Sequence, residues 1–179
     1  MPSKCLLIVL DGLGDRAYAE LGHRTPLQAA HTPFLDELAT RGANGLYHAA
    51  SLGVALPSEN AHFAMFGYDM AEFPGRGALE ALGAGIPLGP KDVAILAHFA
   101  SVSIVDRVVV LEAIRPGTTE EEALAAFSEI GAFRSDGVDF RLHRTHGVDG
   151  VLTLSGDVSP FITDSDTMQT GRPLIAIQP

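Results

Sequence analysis

The chain has 179 residues, of which 46% are hydrophobic and 19% charged, so it can bury a sizeable core and fits one domain carrying an insertion. Its net charge of −10 argues against nucleic acid as a partner, although a local positive helix end or a metal ion could still attract a phosphorylated substrate. The longest apolar runs, residues 5–10 and 108–111, are too short to cross a bilayer, and no basic segment precedes them, which predicts a cytoplasmic protein without a membrane partner.

The first predicted element is the continuous apolar run of residues 4–10, which is typical of a parallel strand buried on both faces. Cys5, the one cysteine in the chain, would then be an inert core thiol. Asp11 follows directly, at the edge where open α/β sheets bind their ligands. Asp11 is therefore either a polar turn residue or a hard metal ligand, and the segment alone leaves both interpretations open.

Two Thr-Pro pairs, beginning at Thr25 and Thr32, predict helices that start at the proline, and Gly42 is expected to end the second one. Residues 45–50 then predict a second short strand. Residues 93–102 and 105–114 are also strand-like, and residues 139–146 and 150–155 predict a further strand pair. Between these pairs, residues 119–131 predict an amphipathic helix with a capping box at Thr119 and Glu122.

Ser58 is predicted to lie at a helix N-terminus, because Leu56-Pro57 cannot continue a helix and residues 61–66 form an apolar helical run. A serine there is either a cap or a nucleophile stabilised by the helix end, and this segment alone favours the cap. His62 follows one turn later, as a group supporting the serine or as a half-buried core histidine.

Residues 74–85 predict a short helix bracketed by glycines, with Arg76 at its start. Arg76 could meet an anion, lie in solvent, or pair with Glu80 one turn later. Residues 173–178 predict a last apolar strand.

Taken together, several segments form an ordered set of motifs that resembles the archaeal-type, cofactor-independent phosphoglycerate mutases of the alkaline phosphatase superfamily. The segments are Leu10-Asp11-Gly12-Leu13-Gly14-Asp15, Thr25-Pro26-Leu27, Thr32-Pro33, Ser58-Glu59-Asn60-Ala61-His62, Phe66-Gly67-Tyr68-Asp69, Gly75-Arg76-Gly77 and Glu80-Ala81-Leu82-Gly83. Weaker likeness continues at Asp92-Val93-Ala94, Phe99-Ala100, Val105-Asp106-Arg107 and Thr163-Asp164-Ser165-Asp166.

The resemblance implies an α/β fold with an alkaline-phosphatase-like, mainly parallel sheet, incomplete in this chain, and an inserted small α+β lid domain that moves over Ser58. Residues 1–90 would be the N-terminal part of the metal and phosphoryl-transfer domain. Residues 91–168 would form the lid, and residues 169–179 a return strand toward the first domain.

The resemblance also implies a metal-dependent phosphoglycerate mutase, which interconverts 2- and 3-phosphoglycerate through a phosphoserine at Ser58. Two divalent metal ions, manganese, zinc, cobalt or magnesium, serve the complete family enzyme, and Asp11 and Ser58 would be ligands. The two side chains are then expected to face one another closely enough to share one ion. The residues that would bind substrate are Arg76, His62, Asp106 and Arg107.

The remaining family ligands include an Asp-His pair, and no Asp-His dipeptide occurs here, so this chain alone supplies too few ligands for the metals. Most histidines are interpreted as structural, and His143-x-x-His146 is at best a weak metal candidate. Two alternatives stay open: a phosphatase or other phosphotransferase of the same superfamily, or a non-catalytic fragment or subunit that needs a separate C-terminal half. A small phosphorylated substrate is the expected partner, together with self-association or the missing half.

Overall fold

The computed structural model describes residues 4–165 and 169–175, and the chain divides into two compact units, Met1–Phe73 and Pro74–Pro179. The helices are α1 Pro26–Ala29, α2 Pro33–Arg41, α3 Ser58–Met65, α4 Arg76–Gly83 and α5 Glu120–Ile130, with short 3-10 helices at Ala19–Leu21 and Met70–Glu72. The strands are β1 Val93–His98, β2 Ser101–Val105, β3 Val108–Ala113, β4 Ala132–Ser135, β5 Val138–His146 and β6 Asp149–Ser155. Among the described residues, no helix is long and apolar enough to cross a membrane.

The helices of the first unit begin where the capping signals predicted. Thr25 caps α1, since its hydroxyl accepts a hydrogen bond from the Gln28 amide, and the Gln28 side chain accepts one from the Thr25 amide. α2 begins at Pro33 and its last residue is Arg41, with Gly42 at the C-cap position as expected. The Phe63 ring stacks on Tyr68 at 4.8 Å and meets Phe73 edge-on at 5.3 Å, which holds α3 to the turn that follows it.

Two strands predicted for the first unit are not formed in the described chain. Residues 4–10 and 45–50 have no regular secondary structure, and Leu6 and Leu46 are 82% and 93% exposed. A strand forms only where neighbouring backbone satisfies its N–H and C=O groups, and the described residues supply no partner strand for either segment. For the same reason Cys5 is exposed and is not a core thiol.

The second unit contains a four-stranded antiparallel sheet in the order β1-β6-β5-β4 and a separate antiparallel hairpin, β2-β3. The free edge of β3 bonds to residues 171–174, for example through the Leu174 amide and the Val109 carbonyl at 2.9 Å. The described chain is thus mixed α/β with antiparallel sheets. The mainly parallel sheet is not formed within these residues, because the apolar run that should have started it stays unpaired.

The two faces of the four-stranded sheet are covered by different helices. α4 packs against β1 and β6, where Ala81 and Val151 are fully buried and Ala94 and Leu96 lie against them. A Cβ built on Gly150 would meet the Phe127 ring of α5, and since successive strand residues point to opposite faces, α5 covers the other side.

The predicted helix and the predicted strand pair at residues 139–146 and 150–155 are confirmed. Residues 93–102 and 105–114, each predicted as one strand, instead contain the three strands β1, β2 and β3, and β4 was not predicted. α5 carries the predicted capping box, in which the Thr119 hydroxyl accepts from the Glu122 amide at 3.2 Å while the Glu122 carboxylate accepts from the Thr119 amide at 2.8 Å. The division at residue 90 stays a prediction, and α4, assigned above to the first domain, packs here on the sheet of the second unit. Of the predicted last strand, Pro173 bridges to Val110, and residues 176–178 lie outside the described residues.

Candidate functional site

Ser58 is the first residue of α3, and Pro57 occupies the N-cap position without any side-chain cap. The Ser58 hydroxyl is therefore not used as a helix cap, contrary to what the isolated segment favoured. It donates instead to Asp11 Oδ2 across 3.3 Å, joining two residues 47 positions apart in the chain. The local pattern could not show this contact, because a cap is recognised within one turn whereas this partner comes from a distant segment.

Asp11 lies in the turn that follows residues 4–10, beside Gly12, whose φ of 69° is left-handed. The side chains of Asp11 and Ser58 are both exposed, so solvent, an ion or a substrate can reach the oxygen atoms of either residue. A hydroxyl that donates to a carboxylate is polarised toward alkoxide character, although an ordinary carboxylate is far too weak a base to deprotonate serine by itself. The pair offers a nucleophile whose activation needs further positive charge.

The N-terminus of α3 supplies part of that charge. The first intrahelical bond runs from the Ala61 amide to the Pro57 carbonyl at 3.0 Å, so the amides of Ser58, Glu59 and Asn60 precede the helical ladder. Such amides, together with the helix dipole, stabilise phosphate oxygens and developing negative charge on a first-turn side chain. The acidic side chain of Glu59 in the same turn reduces the effect for an anion that approaches it.

The other predicted site residues fall in both units. His62 is half-buried on α3, one turn after Ser58. Arg76 is the exposed first residue of α4, and Asp106 and Arg107 form the exposed turn between β2 and β3. Asp106 and Arg107 have φ values of 50° and 66°, the left-handed geometry of a two-residue hairpin turn that usually favours Asn or Gly. The structure thus brings Asp11 and Ser58 together, and separately Asp106 and Arg107.

The oxygen donors of Asp11 and Ser58 match the ligand preference of magnesium and manganese ions. Within the described ranges, no group of three or more His, Cys, Asp or Glu residues could hold a metal ion. The pair therefore fits two positions of a shared ion and does not complete its coordination. His143, one of the weak metal candidates, instead lies 3.1 Å from the Thr153 hydroxyl through its Nε2 atom.

A second polar cluster, in the second unit, was not singled out from the sequence. Asp139, Arg141 and His143 alternate along β5 and therefore share one face of the sheet. Thr153 on β6 is directly opposite Arg141. The signal that could have found this cluster was the alternation of charged residues along a strand whose intervening residues, Phe140 and Leu142, are apolar.

The profile of the family described as 2,3-bisphosphoglycerate-independent phosphoglycerate mutase matches residues 39–179. The chain belongs to this family. A phosphoglycerate mutase of that description from Methanopyrus kandleri is 41% identical over 180 residues, which cover 98% of this chain and 43% of the relative. One from Thermoplasma acidophilum is 42% identical over 188 residues, which cover 100% of this chain and 44% of the relative.

A solved structure titled as a cofactor-independent phosphoglycerate mutase from Thermoplasma acidophilum is 39% identical, with a TM-score of 0.48. It is matched over 96% of this chain and 45% of its own length. This family member therefore spans less than half the length of the relatives it resembles.

Proposed function

We propose that this chain supplies the phosphoryl-accepting serine of a metal-dependent phosphoglycerate mutase that interconverts 2- and 3-phosphoglycerate. The observation that carries the proposal is the 3.3 Å contact between Ser58 Oγ and Asp11 Oδ2, which puts an exposed hydroxyl beside a carboxylate at a helix N-terminus. Membership of the mutase family supports the substrate class. As an enzyme of glycolysis, the assembled mutase would work in the cytoplasm.

In the forward direction, Ser58 Oγ attacks the phosphorus of 3-phosphoglycerate. The ester P–O bond of the substrate breaks, the Oγ–P bond forms, and the proton lost by Ser58 ends on the freed hydroxyl of glycerate. Reorientation of glycerate followed by the reverse transfer to its other hydroxyl gives 2-phosphoglycerate and regenerates Ser58. The free amides of the first turn of α3 would hold the phosphoryl oxygens throughout.

Asp11 and Ser58 would be ligands of a divalent ion, which would lower the pKa of the serine hydroxyl and neutralise phosphoryl charge. Asp11 would then orient Ser58 by a contact like the present hydrogen bond. A site of this kind normally has at least three protein ligands, so a second polypeptide segment is required to complete two metal sites.

The segment that would complete the site also explains the apolar surface of the first unit. Leu6 and Ile8 are 82% and 71% exposed, and Phe34 and Leu46 are 80% and 93% exposed. We infer that residues 4–10 become a strand of an alkaline-phosphatase-like parallel sheet when a C-terminal half docks beside them, and without it this surface favours self-association.

We assign the part of the second unit from about residue 91 onward to a lid over the site. On this assignment Asp106 and Arg107 at the hairpin turn would contact the glycerate or its phosphate, and Arg76 would contribute another positive charge. His62, one turn after Ser58 on α3, would be a further contact to the substrate. The left-handed φ values of Asp106 and Arg107 are compatible with this role, because strained non-glycine residues cluster at functional sites.

The test uses the 179-residue chain mixed with a separately expressed C-terminal half of a phosphoglycerate mutase relative, in buffer containing manganese. We expect the mixture to interconvert 2- and 3-phosphoglycerate and Ser58→Ala to abolish the reaction, while Ser51→Ala, a change at another exposed serine of the first unit, leaves it intact. A phosphoserine trapped at Ser58 by mass spectrometry would identify the intermediate.

Release of inorganic phosphate without isomerised product would favour the phosphatase alternative, since water would then replace glycerate as the second acceptor. Turnover that survives Ser58→Ala contradicts the proposed mechanism outright.

A further inference from the structure

The face of the four-stranded sheet that carries α4 is only partly covered by that helix. α4 packs on β1 and β6, and beside it a cavity of about 490 Å³ opens over β5 and β4. Its polar lining comes from Asp92, Asp139, Arg141, His143, Thr153 and Ser155, and we refer to it as the sheet groove. All of these residues belong to the second unit, so the groove is complete within it.

The strand register explains why these side chains converge. Asp139 is opposite Ser155, and Arg141 is opposite Thr153, so each pair projects from the same face of adjacent strands. His143 is opposite Val151, which is buried under α4, and this fixes the groove to the α4 side of the sheet.

Arg141 lines the groove together with Asp92 and Asp139, and neither carboxylate forms an ion pair with it. Three other arginines of the unit are paired, Arg134 with Asp139 at 3.6 Å, Arg115 with Asp149 at 3.2 Å and Arg144 with Glu120 at 2.6 Å. Within the described part of the chain, the Arg141 guanidinium has no hydrogen bond and no acidic partner. An arginine with a free planar fork binds carboxylate or phosphate in a bidentate manner.

The neighbouring hydrogen bonds orient the rest of the groove. The Thr153 hydroxyl donates to the Arg141 carbonyl at 3.3 Å, so it accepts at 3.1 Å from Nε2–H of His143. Burial and the nearby Arg141 charge lower the pKa of His143, which keeps the ring neutral at pH 7. A neutral ring whose Nε2 carries the proton has an Nδ1 lone pair, which can accept from a ligand hydroxyl.

The carboxylate of Asp92, on another side of the groove, is a second hydrogen-bond acceptor for a ligand. Asp92 Oδ2 accepts from the Gly89 amide at 2.7 Å, and this bond, with one from Ser155, lowers the pKa of Asp92. Asp92 therefore stays ionised and repels a second negative group near it. A ligand with an anionic group near Arg141 and hydroxyl groups near Asp92 would form favourable interactions on both sides of the groove.

We propose that the sheet groove binds a small hydroxylated anion, with its carboxylate or phosphate on Arg141 and a hydroxyl donating to Asp92. The groove is large enough for such a molecule, since ligand cavities of this kind typically measure about 300–1,000 Å³. This site lies within the second unit and is independent of Ser58, of a metal ion and of the proposed mutase activity.

The test titrates the ¹⁵N-labelled 179-residue chain with D-glycerate and, separately, with glycerol 1-phosphate, both with EDTA present so that metal binding cannot contribute. We expect saturable shifts of the amides of residues 139–143 and 153–155, and the probe that binds more tightly identifies the anionic end. Arg141→Gln should weaken binding at least tenfold, the usual loss when a charge-assisted hydrogen bond is removed. Arg41→Gln, the same charge change on α2 of the first unit, should leave it unchanged.

Asp92→Asn should remove the preference for D-glycerate over propionate, which has the carboxylate and lacks the hydroxyls. If circular dichroism shows that Arg141→Gln is unfolded, Arg141→Lys takes its place and should still weaken binding severalfold, since lysine keeps the charge and loses the fork. The proposal is overturned if neither probe causes a saturable shift, or if Arg41→Gln weakens binding as much as the groove variant.

Discussion

A Cβ atom on Gly77 would lie 2.1 Å from the carbonyl oxygen of Ala94, so α4 and β1 meet backbone against backbone. This approach buries Ala81 of α4 against Val151 of β6. Backbone atoms of a packed helix and strand cannot move aside for an added Cβ atom as the end of a flexible side chain can.

Gly77→Ala is therefore expected to destabilise the second unit by about 3 kcal/mol, through forced separation of the helix and the strand. Gly83→Ala provides the matched control, because Gly83 ends the same helix with open space around its Cα and no left-handed φ. Replacing a helical glycine of that kind should be neutral or stabilising by up to about 1 kcal/mol. Urea unfolding followed by circular dichroism measures both changes, and equal stabilities for the two variants would contradict the close approach.

Local signals in the sequence were sufficient for the helices. The Thr119 and Glu122 capping box, Pro33 after Thr32, and Leu56-Pro57 before Ser58 each mark a helix start, and each helix begins there. Such signals act within one turn of the chain, so they need no knowledge of distant contacts.

Such local signals could not predict strand pairing or long-range side-chain contacts. Residues 4–10 have the composition of a buried strand, yet a strand is stabilised by a neighbour that local sequence does not specify. The contact between Ser58 and Asp11 was predicted only from the resemblance to the family, because the local segment favoured a helix cap for Ser58. The sheet groove was missed because its residues come from different strands, and register alone brings Arg141 beside Thr153.

His143 makes stability depend on pH in a defined direction. Its pKa in the folded chain is lowered below the ordinary value of 6.5 by burial and by Arg141, so between these two pKa values the unfolded state binds more protons than the folded state. The free energy of unfolding should therefore rise with pH through this window. The contribution of His143 to it should be lost as the pH falls below about 6.5.

The measurement compares the free energy of unfolding at pH 5.5 and pH 7.5 for the unmodified chain and for His143→Gln. The variant should show a smaller difference between the two pH values, because glutamine has no proton to gain. His31→Gln, a change at an exposed histidine of the first unit, should keep the full difference. An unchanged pH dependence in His143→Gln would show that other groups cause it.

Arg107 allows conformational strain to be separated from function. Its φ of 66° costs roughly 1–2 kcal/mol for a residue with a Cβ atom, and glycine removes this cost while adding about 0.5–1 kcal/mol of unfolded-state entropy. Arg107→Gly should thus stabilise the hairpin by about 0.5 kcal/mol. In the two-chain mixture it should lower kcat/KM for 3-phosphoglycerate at least tenfold if Arg107 grips the substrate.

Asp136→Gly is the corresponding control, since Asp136 has a φ of 49° in the turn between β4 and β5 and no proposed contact with substrate. It should change stability in the same direction and leave kcat/KM as it was. A loss of turnover in both variants would mean that the substitutions act through the fold.

The last prediction follows from the number of ligands beside Ser58. The chain offers the Asp11 carboxylate and the Ser58 hydroxyl, and the described residues contain no cluster that could complete a metal site. Two exposed oxygen donors should bind manganese with a dissociation constant of roughly 1 mM or weaker, the range of the loosest oxygen-ligand sites. Calorimetry should therefore give weak binding that Asp11→Asn abolishes, and the chain alone should interconvert 2- and 3-phosphoglycerate no faster than buffer.

Asp15→Asn, an equal charge change in the same turn region that leaves Asp11 in place, serves as the control. Micromolar manganese binding by the chain alone, together with turnover that Ser58→Ala abolishes, would mean that further residues of this chain complete the metal site. His62 would then be the first residue to mutate, because it lies one turn from the serine.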